Sequence, residues 1–148
     1  MKHFINIKDI PSKDLRKILD DAKKRKKKRK NLNTLDIDKD KPLSGKLLIQ
    51  MFEKPSSRTR LSFYLAIKQL GGGTLTLKSK EIHLGKGGES LADTAKILST
   101  YGDGFMLRTD SDNKIQEFCK YSNIPVINGL SPSSHPTQIL SDVFTCLL

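Results

Sequence analysis

Four short apolar runs, interleaved with stretches of helical period and punctuated by loops, most restrict what this chain can fold into. The runs are Lys46 to Phe52 (KLLIQMF), Thr74 to Leu77, Gly104 to Leu107 and Ile124 to Ile127. Between them, Arg58 to Leu70 carries Leu61, Leu65 and Ile67 and is stopped by Gly71, Gly72 and Gly73. Glu89 to Tyr101 carries Leu91, Ala95 and Leu98, and Asn113 to Ser122 carries Ile115, Phe118 and Cys119. Strands that alternate with helices predict an α/β domain, a four-stranded parallel sheet flanked by helices on both faces. At 148 residues the chain is long enough for one such core and too short for two ordinary ones.

Ahead of the first run, Ser12 behind Pro11 is expected to cap a helix with Leu15, Ile18, Leu19 and Ala22 on its buried face. The basic run Lys23 to Lys30 (KKRKKKRK) continues that helix and is read as a solvated end; without its eight charges the net +11 falls to +3. A block of this length is also a polyanion-binding footprint, so a nucleic-acid-binding module is the competing reading from another class. None of the nine aromatic residues lies in the run, which leaves bases no platform to stack on. Residues 31–45 read as a loop. No stretch approaches the roughly 18 apolar residues of a membrane span, and MKHFINIKDI lacks a signal-peptide core. Cys119 and Cys146 suit neither a disulfide framework nor a zinc site, as expected of reduced thiols in a cytoplasmic protein. The last helix, from His135, is still apolar at Thr145-Cys146-Leu147-Leu148, with no capping glycine, so the chain is expected to be cut within it.

Ligands of open parallel sheets bind at the carboxyl ends of the strands, where free N–H groups of helix N-termini point outward. The loop after the first run, Glu53 to Arg60 (EKPSSRTR), places three hydroxyls and two guanidinium groups at a helix start. That donor set suits a phosphate dianion. The same residues would also serve a capped helix whose arginines pair with carboxylates. Arg108 ends an apolar run at the same sheet edge, while His135 before a proline is by itself a helix-start polar group. His3 has no such context, and the glycines at 85, 87 and 88 fit neither nucleotide-loop pattern.

Phe52 to Phe63 (FEKPSSRTRLSF) closely resembles the carbamoyl phosphate signature of the aspartate and ornithine carbamoyltransferase family. The resemblance continues in the family's order through Gly88 to Lys96, Met106-Leu107-Arg108, Pro125 to Ser131 and His135-Pro136-Thr137-Gln138. Glu53-Lys54 and Asn128-Gly129-Leu130-Ser131 look like the ornithine branch, with the aspartate branch the nearest rival. The resemblance implies that residues 1–134 form the carbamoyl phosphate domain and 135–148 begin the helix leading to an absent ornithine-binding domain. It implies that Ser56, Ser57, Arg58 and Thr59 hold the phosphate, and that Arg108, His135 and Gln138 approach the carbamoyl group. Arg108, His135 and the Thr59 hydroxyl would be the catalytic donors, and Arg60 would be structural. His83 would reach into the neighbouring subunit's site of a homotrimer, from a segment one residue longer than the family's common form. The implied reaction joins the carbamoyl group of carbamoyl phosphate to L-ornithine, giving L-citrulline and phosphate. It requires no metal or organic cofactor and implies no nucleic-acid or membrane partner.

Overall fold

A computed structural model describes residues 2–78 and 89–148. Helix α1 spans Ser12–Lys28, strand β1 Leu47–Phe52, α2 Arg58–Gln69, β2 Gly73–Lys78, α3 Leu91–Tyr101, β3 Gly104–Arg108, α4 Asp112–Tyr121, β4 Val126–Leu130 and α5 Pro136–Cys146. The strands form one parallel sheet in the order β2-β1-β3-β4. The α/β class and parallel four-stranded sheet read from the sequence are the observed ones. Residue Phe4 extends the sheet beyond β4, donating to Val126 O at 2.8 Å and accepting from Asn128 N–H at 2.9 Å.

One step of the chain runs from β1 to β2, and the next reverses direction across β1 to β3. Right-handed crossovers therefore put α2 on one face and α3 and α4 on the other. The α3/α4 face buries Ile49, Met51, Phe105, Leu107 and Val126 against Ala95, Ile115 and Phe118. Phe105 and Phe118 stack with centroids 4.3 Å apart. Alternate strand positions Leu48, Gln50 and Met106 are also buried, as the two-residue strand period requires of a sheet covered on both sides. Gln50 is fully buried, with neither amide atom hydrogen-bonded among the described residues.

Helix α2 ends where the three glycines predict. Gly71 adopts φ 87, its N–H donates to Lys68 O, and Gly72 N–H donates to Ile67 O, the paired bonds of a Schellman cap. Several local expectations are corrected. Ser12 does not cap α1, since it is the first helical residue and Pro11 holds the cap position. Ile18 and Leu61, expected inward, are 44% and 55% exposed. Strand β4 starts two residues later than the apolar run and continues to Leu130, because a bulge at Gly129 carries the ladder past Asn128. A Cβ on Gly129 would overlap Met106 Sδ, so only glycine lets β4 lie this close to β3.

The basic run is not uniformly solvated. Arg25 bonds Asp21, Asp38 and Asp40, and Arg29 bonds Asp38, while the six lysines of the run stay exposed. Arginine forks pair with carboxylates in two-pronged fashion, so the two arginines turn inward and clamp α1 to the 31–45 loop.

Candidate functional site

The chain's change of direction leaves a crevice between the carboxyl ends of β1 and β3, and both signature segments end there. From β1, Glu53 to Ser57 lead into α2. The Ser57 side chain makes no cap bond, so the first N–H groups of α2 are left to other acceptors. From β3, the Arg108 guanidinium crosses to this loop and donates from Nη1 to Ser56 Oγ at 3.1 Å and to Thr59 Oγ1 at 3.4 Å. Its Nε is buried and has no acceptor among the described residues.

A cleft of about 290 Å³ opens beside this loop between α2 and α5. Arg58, Thr59, Ser62, His135, Thr137 and Gln138 contribute to its lining. Among the described residues neither Arg58 nor Arg60 has an ion-pair partner. Arg58 stands at the wall of the cleft with no polar partner among the described residues. Pro136 opens α5 at a position suited to its fixed φ and places His135 at the mouth. Burial first, and the Arg108 charge second, push the His135 imidazole below its usual range, with Asp142 opposing. His135 Nδ1 lies 3.3 Å from the Thr137 hydroxyl.

The structure therefore gathers Ser56, Thr59 and Arg108 in one hydrogen-bonded group and brings Arg58 and His135 to the same cleft. Ser57 is exposed at the head of α2. Gln138 lines the cleft, but its amide donates to Asp142 at 2.8 Å. Arg60 is exposed and makes no polar contact among the described residues, which leaves a structural role without a bond to carry it. His83 lies outside the described residues.

Three features were missed by sequence reasoning. Ser62 and Thr137 line the cleft, and the signals were present: Ser62 follows Arg58 by one helical turn, and Thr137 follows His135 by two residues. Glu53 is also more than a branch marker. Its N–H donates to Arg108 O at 2.9 Å, and its carboxylate accepts from the Thr109 hydroxyl and from Lys114 Nζ at 2.7 Å. It thereby ties the end of β1 to the end of β3 and the start of α4.

A doubly wound parallel sheet with hydroxyls, free helical N–H groups and guanidinium groups converging at its switch point defines an anion-binding α/β domain. The chain belongs to the aspartate/ornithine carbamoyltransferase family, whose carbamoyl-P binding domain matches residues 2–147. An ornithine carbamoyltransferase of Brucella ovis is 45% identical over 145 residues, which are 98% of this chain and 45% of that protein. Among solved structures, the ornithine carbamoyltransferase of Pyrococcus furiosus superposes with a TM-score of 0.89 at 38% identity, over 97% of this chain and 44% of that one. The catalytic subunit of M. jannaschii aspartate transcarbamoylase gives 0.84 at 38% identity, over 99% of this chain and 47% of its own. The chain thus spans about half the length of the relatives it matches.

Proposed function

We propose that this chain is the carbamoyl phosphate half of an ornithine carbamoyltransferase, with L-ornithine held by a further domain outside residues 1–148 and citrulline and phosphate as products. The observation that carries the reading is Arg108, anchored on Ser56 and Thr59 in the loop that leads to Arg58, with a buried Nε that has no acceptor among the described residues. Guanidinium groups with spare donors in a half-dry crevice suit a planar, anionic ligand. The phosphate sits at the N-terminus of α2 on Ser56, Ser57, Arg58 and Thr59. The carbamoyl oxygen faces Arg108, His135 and the Thr59 hydroxyl, and Gln138 reaches the carbamoyl nitrogen by releasing Asp142.

Attack by the ornithine side-chain amine turns the carbonyl oxygen into an oxyanion, and donors aimed at it stabilise the transition state more than the ground state. Arg58 takes up charge on the departing phosphate. An amine with a lysine-like pKa of about 10.4 costs about 4.6 kcal/mol to present neutral at pH 7, so the assembled site must orient and deprotonate it.

The aspartate branch remains the second reading, favoured by the equal sequence identity to the aspartate transcarbamoylase subunit. A homotrimer sharing His83 between subunits, a cytoplasmic location and a place in arginine synthesis complete the proposal. Exposed Leu61 and Tyr64 on α2 and Leu75 on β2 support a subunit contact on that side. Among the described residues no helix is long and apolar enough to cross a membrane.

Two measurements test the reading. Calorimetry of this chain with carbamoyl phosphate should show saturable binding that inorganic phosphate competes away, and its absence would overturn the site assignment. Carbamoyl transfer by the longer protein containing this chain, assayed with ornithine and with aspartate, decides the amine.

A further inference from the structure

We infer that Asn128 is a positioning residue for His135, holding the connection between β4 and α5 in the one path that delivers the imidazole to the cleft. The inference rests on the proposed function only in assigning His135 to the carbamoyl group.

Asn128 is completely buried at the end of the sheet. Its Oδ1 accepts from Leu130 N–H at 3.0 Å. Its Nδ2 lies 3.0 Å from Ser131 Oγ, 3.2 Å from Ile5 O and 3.3 Å from Ser134 O, so two hydrogens are shared among three acceptors. One side chain therefore fixes the backbone at Leu130 and at Ser134, the residue before His135, and the hydroxyl of Ser131 between them. Leu130 needs such support, because its φ of 151 is one that a branched side chain rarely adopts. The Asn128 bond holds its N–H, and Thr109 N–H, donating at 3.0 Å, holds its carbonyl. Thr109 follows Arg108, so the strained residue joins the strand end that carries the arginine to the loop that carries the histidine. On the outer side Asp112 holds Ser133 through its hydroxyl at 2.8 Å, and the turn is gripped from both sides.

An aspartate at 128 keeps the shape and the acceptor for Leu130, but presents oxygen to Ile5 O and Ser134 O where the amide presented hydrogen. The turn must move away, and His135 with it.

The test is an NMR titration of the His135 ring in the 148-residue chain, its signal assigned by His135→Gln, together with calorimetry for carbamoyl phosphate and inorganic phosphate. The native titration is set first by burial and then by Arg108 from β3, with Asp142 from α5 opposing and Arg58 of α2 lining the same cleft. In Asn128→Asp the His135 pKa should rise toward the ordinary histidine value. Carbamoyl phosphate affinity should fall about tenfold, the size of one lost bond to a charged or polarised ligand. Inorganic phosphate affinity should change by less than about twofold, because its donors come from the other loop. If Asn128→Asp does not fold, Ser131→Ala removes one acceptor and should shift both readouts the same way by less. A merely structural role would lower the denaturation midpoint and leave the folded molecules with wild-type His135 titration and wild-type carbamoyl phosphate affinity; that result overturns the inference. Failure of the wild-type chain to bind carbamoyl phosphate would instead refute the proposed function, and the His135 titration would still decide the role of Asn128.

Discussion

Arg58 and Gln50 lie eight residues apart and show opposite uses of an unpaired polar group. Arg58 has no partner among the described residues and lines an open cleft, where an unpaired cation costs little and an anionic ligand gains a two-pronged partner. Arg58→Ala should therefore weaken carbamoyl phosphate binding by about 2 kcal/mol, roughly thirtyfold, with no loss of fold. Unchanged calorimetric affinity would remove Arg58 from the site. Gln50 has no such use, since its carboxamide is sealed in the sheet with neither polar atom bonded among the described residues. Gln50→Met keeps the volume and removes the desolvation cost, so the variant should be more stable by about 1 to 3 kcal/mol in urea unfolding. At Gly129 the sign reverses. An added methyl group meets Met106 Sδ, and Gly129→Ala should lose about 1 to 3 kcal/mol by overpacking.

Among the elements, α1 is held to the body by charge more than by burial, for none of its residues is buried. Arg25 and Arg29 converge on Asp38, which also donates its N–H to Gln69 O at 2.7 Å and so joins α1 to the end of α2. Burial raises the Asp38 carboxyl, but the bonds from Arg29 and Arg25 outweigh it and hold the group below the ordinary carboxylate range. The pair's stabilisation is then complete above about pH 4 and is lost as pH falls through the lower folded-state value. Asp38→Asn should lower the thermal midpoint at pH 7 and flatten the acid limb of the stability curve. An unchanged midpoint would show the clamp to be idle. This clamp also marks the limit of sequence reading. The strands and helices were legible because apolar period and glycine stops are local signals, and the Ser56–Arg60 loop stood out because its donors are contiguous. What pairs Arg25 with Asp38, or Glu53 with Lys114, is distance in space after folding, which no local spacing encodes. Ile18 was misread for a related reason: its helical period was right, but which part of an apolar stripe is covered depends on neighbours distant in sequence, and Ile18 stays 44% exposed.

For the molecule as a whole, carbamoyl transfer needs both reactants held at about 3 to 3.5 Å, an arrangement that can be worth roughly 7 to 11 kcal/mol of barrier. Because the proposed function assigns ornithine to a further domain, the 148-residue chain should bind carbamoyl phosphate yet form citrulline no faster than the uncatalysed reaction. Turnover within tenfold of a full-length relative would place the amine site inside these residues. The first residues of the chain carry a separate consequence. His3 accepts from Val126 N–H and Ile5 from the Asn128 amide, both across 123 positions, so the row beside β4 comes from residues made well ahead of that strand. A ribosome delivers residues 2–5 well before their partner strand, so they wait unpaired while β1 to β3 are made. Strand β4 then emerges to find its outer edge already provided for, and the sheet closes on that side in a step that cannot begin before Asn128 has left the exit tunnel.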